Sequence, residues 1–450
     1  MLDIAINHGT VIDTVSLTKH SLHVGIKAGK IVELSIEPLC AVRVIDAKGL
    51  IVSPGFIDPH GHIDGYEYSG ELSACQGITT SVGGNCGLSP VDLKEFFKVE
   101  EEKGFPINQA ELIGHSFSLR KEVGICDVYA KASMEEIDRM KELANQAFLD
   151  GACGLSFGLD YAPGASLDEI NALAELCAKY NRIMTVHSRL FTTFDLYSLY
   201  EILGIAKRTG VRILFSHFVY QYGEGIMKEA LEIVEKAMED GIDVMIDSGM
   251  YTDWAAGIGT ATFDEQTLGD NSIAFSHLIV ASGKYFGAQL NREIYTELRE
   301  NHPEDAIICI VGHPEEVYLV LKKPYCMPST DIGTYKRGEG HPQIAGTYPK
   351  YIKEMVRERQ DLTLEEAITK ATILPANLFG FQGKGKIAIG ADADITIFDY
   401  STIKDLARYP NEGLPDTKPY GIIYVLVNGQ LVVDHSEYTG VKAGKIIRSL

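Results

Sequence analysis

Apolar residues follow one rhythm at both ends of the chain and another in the middle. Near the start they fall in short runs at 2–7, 22–26, 30–35 and 42–45. Turn residues separate these runs at Asn7-His8-Gly9, Ala28-Gly29 and Lys48-Gly49. Such a pattern predicts strands. The C-terminal stretch repeats it at 385–389, 393–398, 421–428 and 430–434, with Asn428-Gly429 as a hairpin turn. The two β-rich ends are predicted to meet in one small β-sandwich domain, residues 1–53 and 381–450.

Between them strand-like and helix-like segments alternate. Strand candidates lie at 55–58, 78–83, 110–116, 153–159, 183–187, 211–217, 243–247 and 325–330. Helix-like runs intervene at 134–149, 167–180, 196–208 and 226–239. In the first run Ile137, Met140, Leu143, Ala144, Ala147 and Phe148 recur at the spacing of a single apolar helix face. Eight strand–helix units predict an α/β fold, a (β/α)8 TIM-like barrel over residues 54–380, with its chemistry at the carboxyl ends of the strands. The stretch between the seventh and eighth strands is too long for one loop and one helix. Residues 251–323 are therefore expected to form an insertion, or lid, over the barrel mouth.

Composition narrows the function classes. A chain of 450 residues has room for a large barrel and a smaller domain. It is 45% hydrophobic and 23% charged, as globular proteins are. It has no apolar run of about 20 residues, the length a membrane span needs. Its first ten residues lack the basic and apolar regions of a secretory signal. A cytoplasmic protein without a membrane partner is expected. The net charge of −21 argues against nucleic acid and anionic lipid surfaces as partners. The eight cysteines include no CxxC pair, the pattern of reduced thiols.

The polar residues at the predicted strand ends carry the chemistry. His60 and His62 close the first strand, and side chains two apart share a face. Imidazole pairs of this kind suit zinc and other borderline metals. The second strand ends at Gly83-Gly84-Asn85-Cys86-Gly87, the third at His115, the fifth at His187, the sixth at His217 and the eighth at Asp331. In a barrel these positions converge. They supply four imidazoles, a thiolate and a carboxylate, with His115 nearby, enough for two metal ions with positions open to water.

These residues sit in a longer pattern. Pro54-Gly-Phe-Ile-Asp-Pro-His-Gly-His62, Gly83-Gly-Asn-Cys-Gly87, Gly114-His115, Gly158-Leu-Asp-Tyr161, His187-Ser-Arg189, Ser216-His217, Ser329-Thr-Asp331 and Gly390-Ala-Asp-Ala-Asp394 occur in order along nearly the whole chain. The chain thereby resembles the amidohydrolase superfamily, and within it the D-aminoacylase (N-acyl-D-amino-acid deacylase) family. The Gly-Asn-Cys-Gly element is the most specific sign. The resemblance implies zinc held by Cys86, His187 and His217. It implies a second, weaker site formed by His60, His62, Asp331 and a bridging Cys86. Asp331 would be the general base and acid. Tyr161 and Arg189 would line the substrate pocket, Tyr161 polarising the scissile carbonyl, and His115 would orient substrate or brace the metal shell.

The resemblance thus implies a metal-dependent hydrolase of a C–N amide bond in a small molecule, most like an N-acyl-D-amino-acid deacylase, and it is compatible with a homo-oligomer. A cyclic-amide hydrolase of the hydantoinase or dihydroorotase kind is the alternative. A non-catalytic homologue is more remote, because all six expected ligands are present. Three departures from the family lie on the substrate side. His341-Pro342-Gln343 stands where the family has His-Pro-Arg. Leu190-Phe191-Thr192 lacks the usual acidic residue. The segment from Asp247 to Asp253 lacks a Tyr-Pro-Tyr pattern. Gln343 cannot form the bidentate ion pair with a carboxylate that an arginine can.

Overall fold

The computed structural model describes residues 1–189, 192 and 195–449. Eight parallel strands make a near-closed barrel: β1 (Phe56–Asp58), β2 (Ile78–Gly83), β3 (Asn108–Gly114), β4 (Gly154–Gly158), β5 (Ile183–His187), β6 (Arg212–Phe215), β7 (Val244–Ser248) and β8 (Cys326–Pro328). From β1 to β8 each strand is hydrogen-bonded to the next. Side chains alternate as the pleat requires. Ala110 and Leu112 of β3 pack inside the barrel with Ile57, Val82 and Leu214, while Ile113 joins the helix layer. Phe379 and Phe381 belong to the same interior cluster, and Arg212 at the start of β6 donates to the Leu378 carbonyl. The floor of the barrel is therefore closed at the amino ends of the strands.

The helix layer follows the sequence period. The helix Met134–Asp150 buries Ile137, Met140, Ala144, Ala147 and Phe148. It and Leu167–Lys179 each begin with a capping box, Ser133 with Glu136 and Ser166 with Glu169.

One joint is irregular. Among the described residues, β1 and β8 share no strand ladder beyond a single bridge, Gly61 to Ile332. Pro328 has no N–H to donate. Side chains and turns close the gap instead. The Tyr348 hydroxyl lies 2.9 Å from the Ile57 carbonyl and 3.1 Å from that of Pro328. Asp58 accepts from the Thr330 N–H and hydroxyl at 3.0 and 2.5 Å. Just beyond the strands, the His62 N–H donates to the Ile332 carbonyl (2.7 Å) and the Asp331 N–H to the His60 carbonyl (2.9 Å).

Both termini build the β-sandwich. One sheet holds Lys30–Ser35, His23–Lys27, Leu2–Asn7 and Ala41–Asp46 in that order. The other has seven strands and pairs C-terminal Ile395–Phe398 with N-terminal Ile51–Pro54. Ile6, Val24, Ile26, Val52, Ile395 and Leu426 share the core between the sheets. Thr10–Asp13, Thr18–Ser21 and Glu437–Tyr438 are additions to the predicted set. The second is exposed throughout, so it carries no apolar signal. The strand expected at 385–389 does not form. Gly383, Gly385 and Gly390 take φ of 76°, 73° and 88°, left-handed values that break extended backbone.

Between β7 and β8 the chain inserts an antiparallel sheet of Trp254–Gly257, Ala306–Cys309 and Leu278–Val280, with the middle-named strand central. It has its own core, including Phe263, Leu268, Leu298 and Ile307. Among the described residues no helix is long and apolar enough to cross a membrane. All eight cysteines are free.

Candidate metal centre

The turn after β2 is made of small residues because larger ones would not fit. A Cβ on Gly84 would lie 2.2 Å from the Leu112 carbonyl oxygen. A Cβ on Gly158 would lie 2.1 Å from the Cys86 carbonyl oxygen and 2.8 Å from the Tyr161 ring. The turn delivers Cys86 in a left-handed conformation, φ 51°. His217 (φ 32°) and Asp331 (φ 50°) share that region. It costs a non-glycine residue about 1–2 kcal/mol. Such conformations persist where the surrounding structure over-determines them, and they cluster at functional sites.

These turns bring the donors together. Cys86 Sγ lies 3.4 Å from Nε2 of both His60 and His217, and 3.7 Å from His187 Nδ1. Asp331 Oδ1 lies 3.1 Å from His62 Nε2 and 3.5 Å from His60 Nε2. Two groups of three donors each fall within the reach of one ion: His60, Cys86 and His217, and His60, His62 and Asp331. They share His60. His187 sits slightly apart, its Nε2 turned toward Asp160 at 3.9 Å.

The electrostatics of the cluster call for positive charge. Burial pushes the Cys86 thiol up, but His60 and His217 beside it bring it well below the ordinary thiol range. Burial also raises Asp331, and the hydrogen bond to His62 and the neighbouring imidazoles more than reverse this. Burial favours neutral imidazoles, yet the Asp331 and Cys86 contacts lift His62 to about 10, and Asp160 and Cys86 lift His187 to about 9. Thiolate and carboxylate are thus stabilised as anions within a buried ring of imidazoles. Sulfur, nitrogen and oxygen donors in this mixture fit a borderline divalent ion such as zinc.

Around the donors lie Asp247, which no motif singled out, and Gln343, noted above as a departure from the family pattern. Asp247, at the end of β7, is fully buried, accepts from the His217 N–H (2.9 Å) and the Ser329 hydroxyl (2.6 Å), and presents Oδ2 to His60 Nδ1 at 3.6 Å. At 3.6 Å the two are not hydrogen-bonded, but a carboxylate facing Nδ1 favours the tautomer that leaves Nε2 free to bind an ion. Gln343 is 2% exposed. Its amide donates to the Asp331 carbonyl (2.8 Å) and accepts from the Tyr220 hydroxyl (2.7 Å). It therefore holds the turn that carries Asp331.

Of the other expected site residues, Tyr161 lines the cleft beside His217 and Asp331, its ring 4.7 Å from that of His187. Burial and the nearby Cys86 and Asp331 hold its hydroxyl protonated, well above the usual phenol range. His115 is not brought to the cleft. It is buried, with Nε2 2.8 Å from Glu169 and Nδ1 3.1 Å from the Ser116 hydroxyl. Arg189 points away as well. It is bound to Glu201 and to the carbonyls of Pro163 and Ala165, and lines a neighbouring cleft with Asp160. The departure from the family at Leu190 and Phe191 lies outside the described residues.

His341 is fully buried between the rings of Tyr251 and Tyr409. Burial holds its imidazole down at about 3. An unfolded chain would bind that proton near pH 6.5. The stability this group contributes is therefore complete above pH 6.5 and is lost as pH falls from there toward 3. By pH 5 the loss is about 2 kcal/mol. Urea midpoints at pH 7 and pH 5 should differ less in His341→Phe than in the unmodified protein; an unchanged difference would contradict this.

The cleft above the donors measures about 290 Å³. His62, Cys86, His217 and Asp331 form its base, and Ala255 and Ala256 of the inserted sheet form one wall. A barrel whose strand ends gather imidazole, thiolate and carboxylate donors under an inserted flap defines a class of metal-binding (β/α)8 proteins. The chain belongs to the amidohydrolase family, whose model matches residues 51–432. An N-acyl-D-glutamate deacylase of Alcaligenes xylosoxydans xylosoxydans is 31% identical to it, over 99% of this chain and 96% of that protein. A D-aminoacylase of the same organism is 28% identical over 99% and 97%. A crystal structure of N-acyl-D-glutamate deacylase from Bordetella bronchiseptica, in complex with zinc and a phosphonate mimic of the tetrahedral intermediate, superposes with a TM-score of 0.87 at 27% identity and covers both chains completely.

Proposed function

We propose that the protein is a zinc-dependent hydrolase of C–N amide bonds in small molecules, acting on N-acyl substrates in the manner of the D-aminoacylases. The observation that carries this reading is the convergence of Cys86 Sγ on His60 and His217 at 3.4 Å, with Asp331 3.1 Å from His62, at the base of one cleft. Cys86, His187 and His217 would hold one ion, and His60, His62 and Asp331 a second that shares Cys86. When bound, zinc supplies Lewis acidity and brings the pKa of water from about 16 to near 7.

The residues of the chain do the rest. Asp331 is held ionised, so its carboxylate accepts a proton from water as the carbonyl carbon is attacked. The same oxygen returns that proton to the departing nitrogen, which would otherwise leave as a strongly basic anion. Tyr161 keeps its proton and can donate a hydrogen bond where the carbonyl oxygen gains charge, a contact worth about 3 kcal/mol in a dry site. Gln343 fixes the Asp331 turn from behind.

Chelator-treated protein should fail to release acetate from N-acetyl-amino acids and N-acetyl amines, and added zinc should restore release. Hydantoin offered in parallel tests ring opening. Activity that survives complete loss of metal would overturn the reading.

A further inference from the structure

The cleft also bears on what the amide carries. Its side walls are Leu88, Phe117, Ala255 and Ala306, with Tyr335 beside them and the exposed Glu304 at the rim. Among the described residues that line it, none is lysine or arginine. Apart from the metal donors at its base, the one formal charge among its described lining residues is that of Glu304 at the mouth. We propose that the site accepts N-acyl amines with no free carboxylate on the amine half, and that a neutral or cationic group faces Glu304. This rests on the amide-hydrolase reading above and narrows its substrate class.

The argument is one of compensation. A carboxylate moved from water into an apolar cleft needs a paired cation or several donors. Nearby cations are engaged elsewhere: Arg299, behind the lining residue Thr260, is bound to the Ile258 and Thr260 carbonyls and to Asp264. Arg189 is bound to Glu201 and two carbonyls. Arg120 is paired with Glu169 at 2.7 Å, and Arg337 with Glu71 at 2.7 Å. Lys336 is exposed and outside the lining. Gln343 cannot serve either, because both ends of its amide are bound, to Tyr220 and to the Asp331 carbonyl. A ligand carboxylate would meet alanine methyls, aromatic faces, the neutral residues Thr260 and Thr334 and a second carboxylate, with no lysine or arginine among the described lining residues to pair with it. A carboxamide or an ammonium would meet a wall it can tolerate and a rim that attracts it.

A matched pair separates charge from shape: N-acetyl-D-leucine and its neutral N-methylamide. Acetate release by the zinc-loaded protein gives kcat/KM for both. Calorimetry on zinc-loaded Asp331→Asn gives their affinities without turnover. The N-methylamide should win by tenfold or more in both measurements. Glu304→Lys should narrow the gap severalfold, chiefly by improving the acid. Equal or better performance of the acid overturns the inference and leaves the hydrolase reading standing. If neither compound releases acetate, the hydrolase reading fails, and the affinity ratio alone decides the ligand class. If neither binds, both fall.

Discussion

Asp331→Asn is expected to lower kcat by about 1,000-fold, the range for loss of a positioned general base and acid, while the bound zinc is retained. The two outcomes are separable because the roles are. The His60, Cys86 and His217 donor group does not contain Asp331. Across the barrel joint the Asp331 N–H donates to the His60 carbonyl, and the side chain adds one contact, 3.1 Å to His62 Nε2, that an asparagine side chain can also make. Asparagine preserves that backbone and fills the same volume, while removing the negative charge and with it the ability to take a proton. Single-turnover kinetics with metal analysis on one preparation check both halves. Turnover within tenfold of the unmodified protein would remove Asp331 from the proton transfers. Loss of zinc along with activity would make it chiefly a ligand.

Cys86→Gly is expected to abolish activity by removing the ion while leaving the fold intact. Most substitutions of a buried ligand confuse these effects. Here the backbone decides the choice, since Cys86 sits at φ 51°, where glycine is at ease and alanine is strained. The thiolate reaches three imidazoles within 3.7 Å, so its loss takes a donor from both proposed sites. Zinc affinity should fall by at least ~100-fold, given that even groups one contact removed from a metal alter affinity 10- to 100-fold. Zinc at 1,000 times its dissociation constant stabilises a protein by about 4 kcal/mol. The unmodified protein should show that gain as a higher melting temperature, and Cys86→Gly should not. An equal zinc-dependent rise in both would place the ion elsewhere.

The barrel was legible because parallel strands buried on both faces read as apolar runs, and each predicted run overlaps one of β1–β8. The donors were legible because they stand at the ends of those runs, where the backbone leaves the sheet. Direction was not. His115 and His187 both end predicted strands, yet one ring turns to Glu169 and the other to Cys86. Arg189 follows His187 by two positions and still faces Glu201. Asp247 also closed a predicted strand, but a single aspartate has no pattern, and its importance shows only once His60 is seen to face it. At 385–389 the apolar residues suggested extension while the glycines on either side imposed left-handed turns. The bonds of Gln343 to residues 123 positions before it and 12 before it depend on tertiary placement that no local pattern encodes.

The joint between β1 and β8 gives the catalytic turns a mechanical duty. Seven of the eight strand contacts are laddered, and the eighth is stitched by backbone groups of His60, His62 and Asp331. The same three residues offer their side chains to one ion. Such an ion would act as a rivet across the barrel's weakest circumference, resisting the hoop opening that a missing ladder allows. In each member of the trio the backbone closes the barrel while the side chain carries the chemistry.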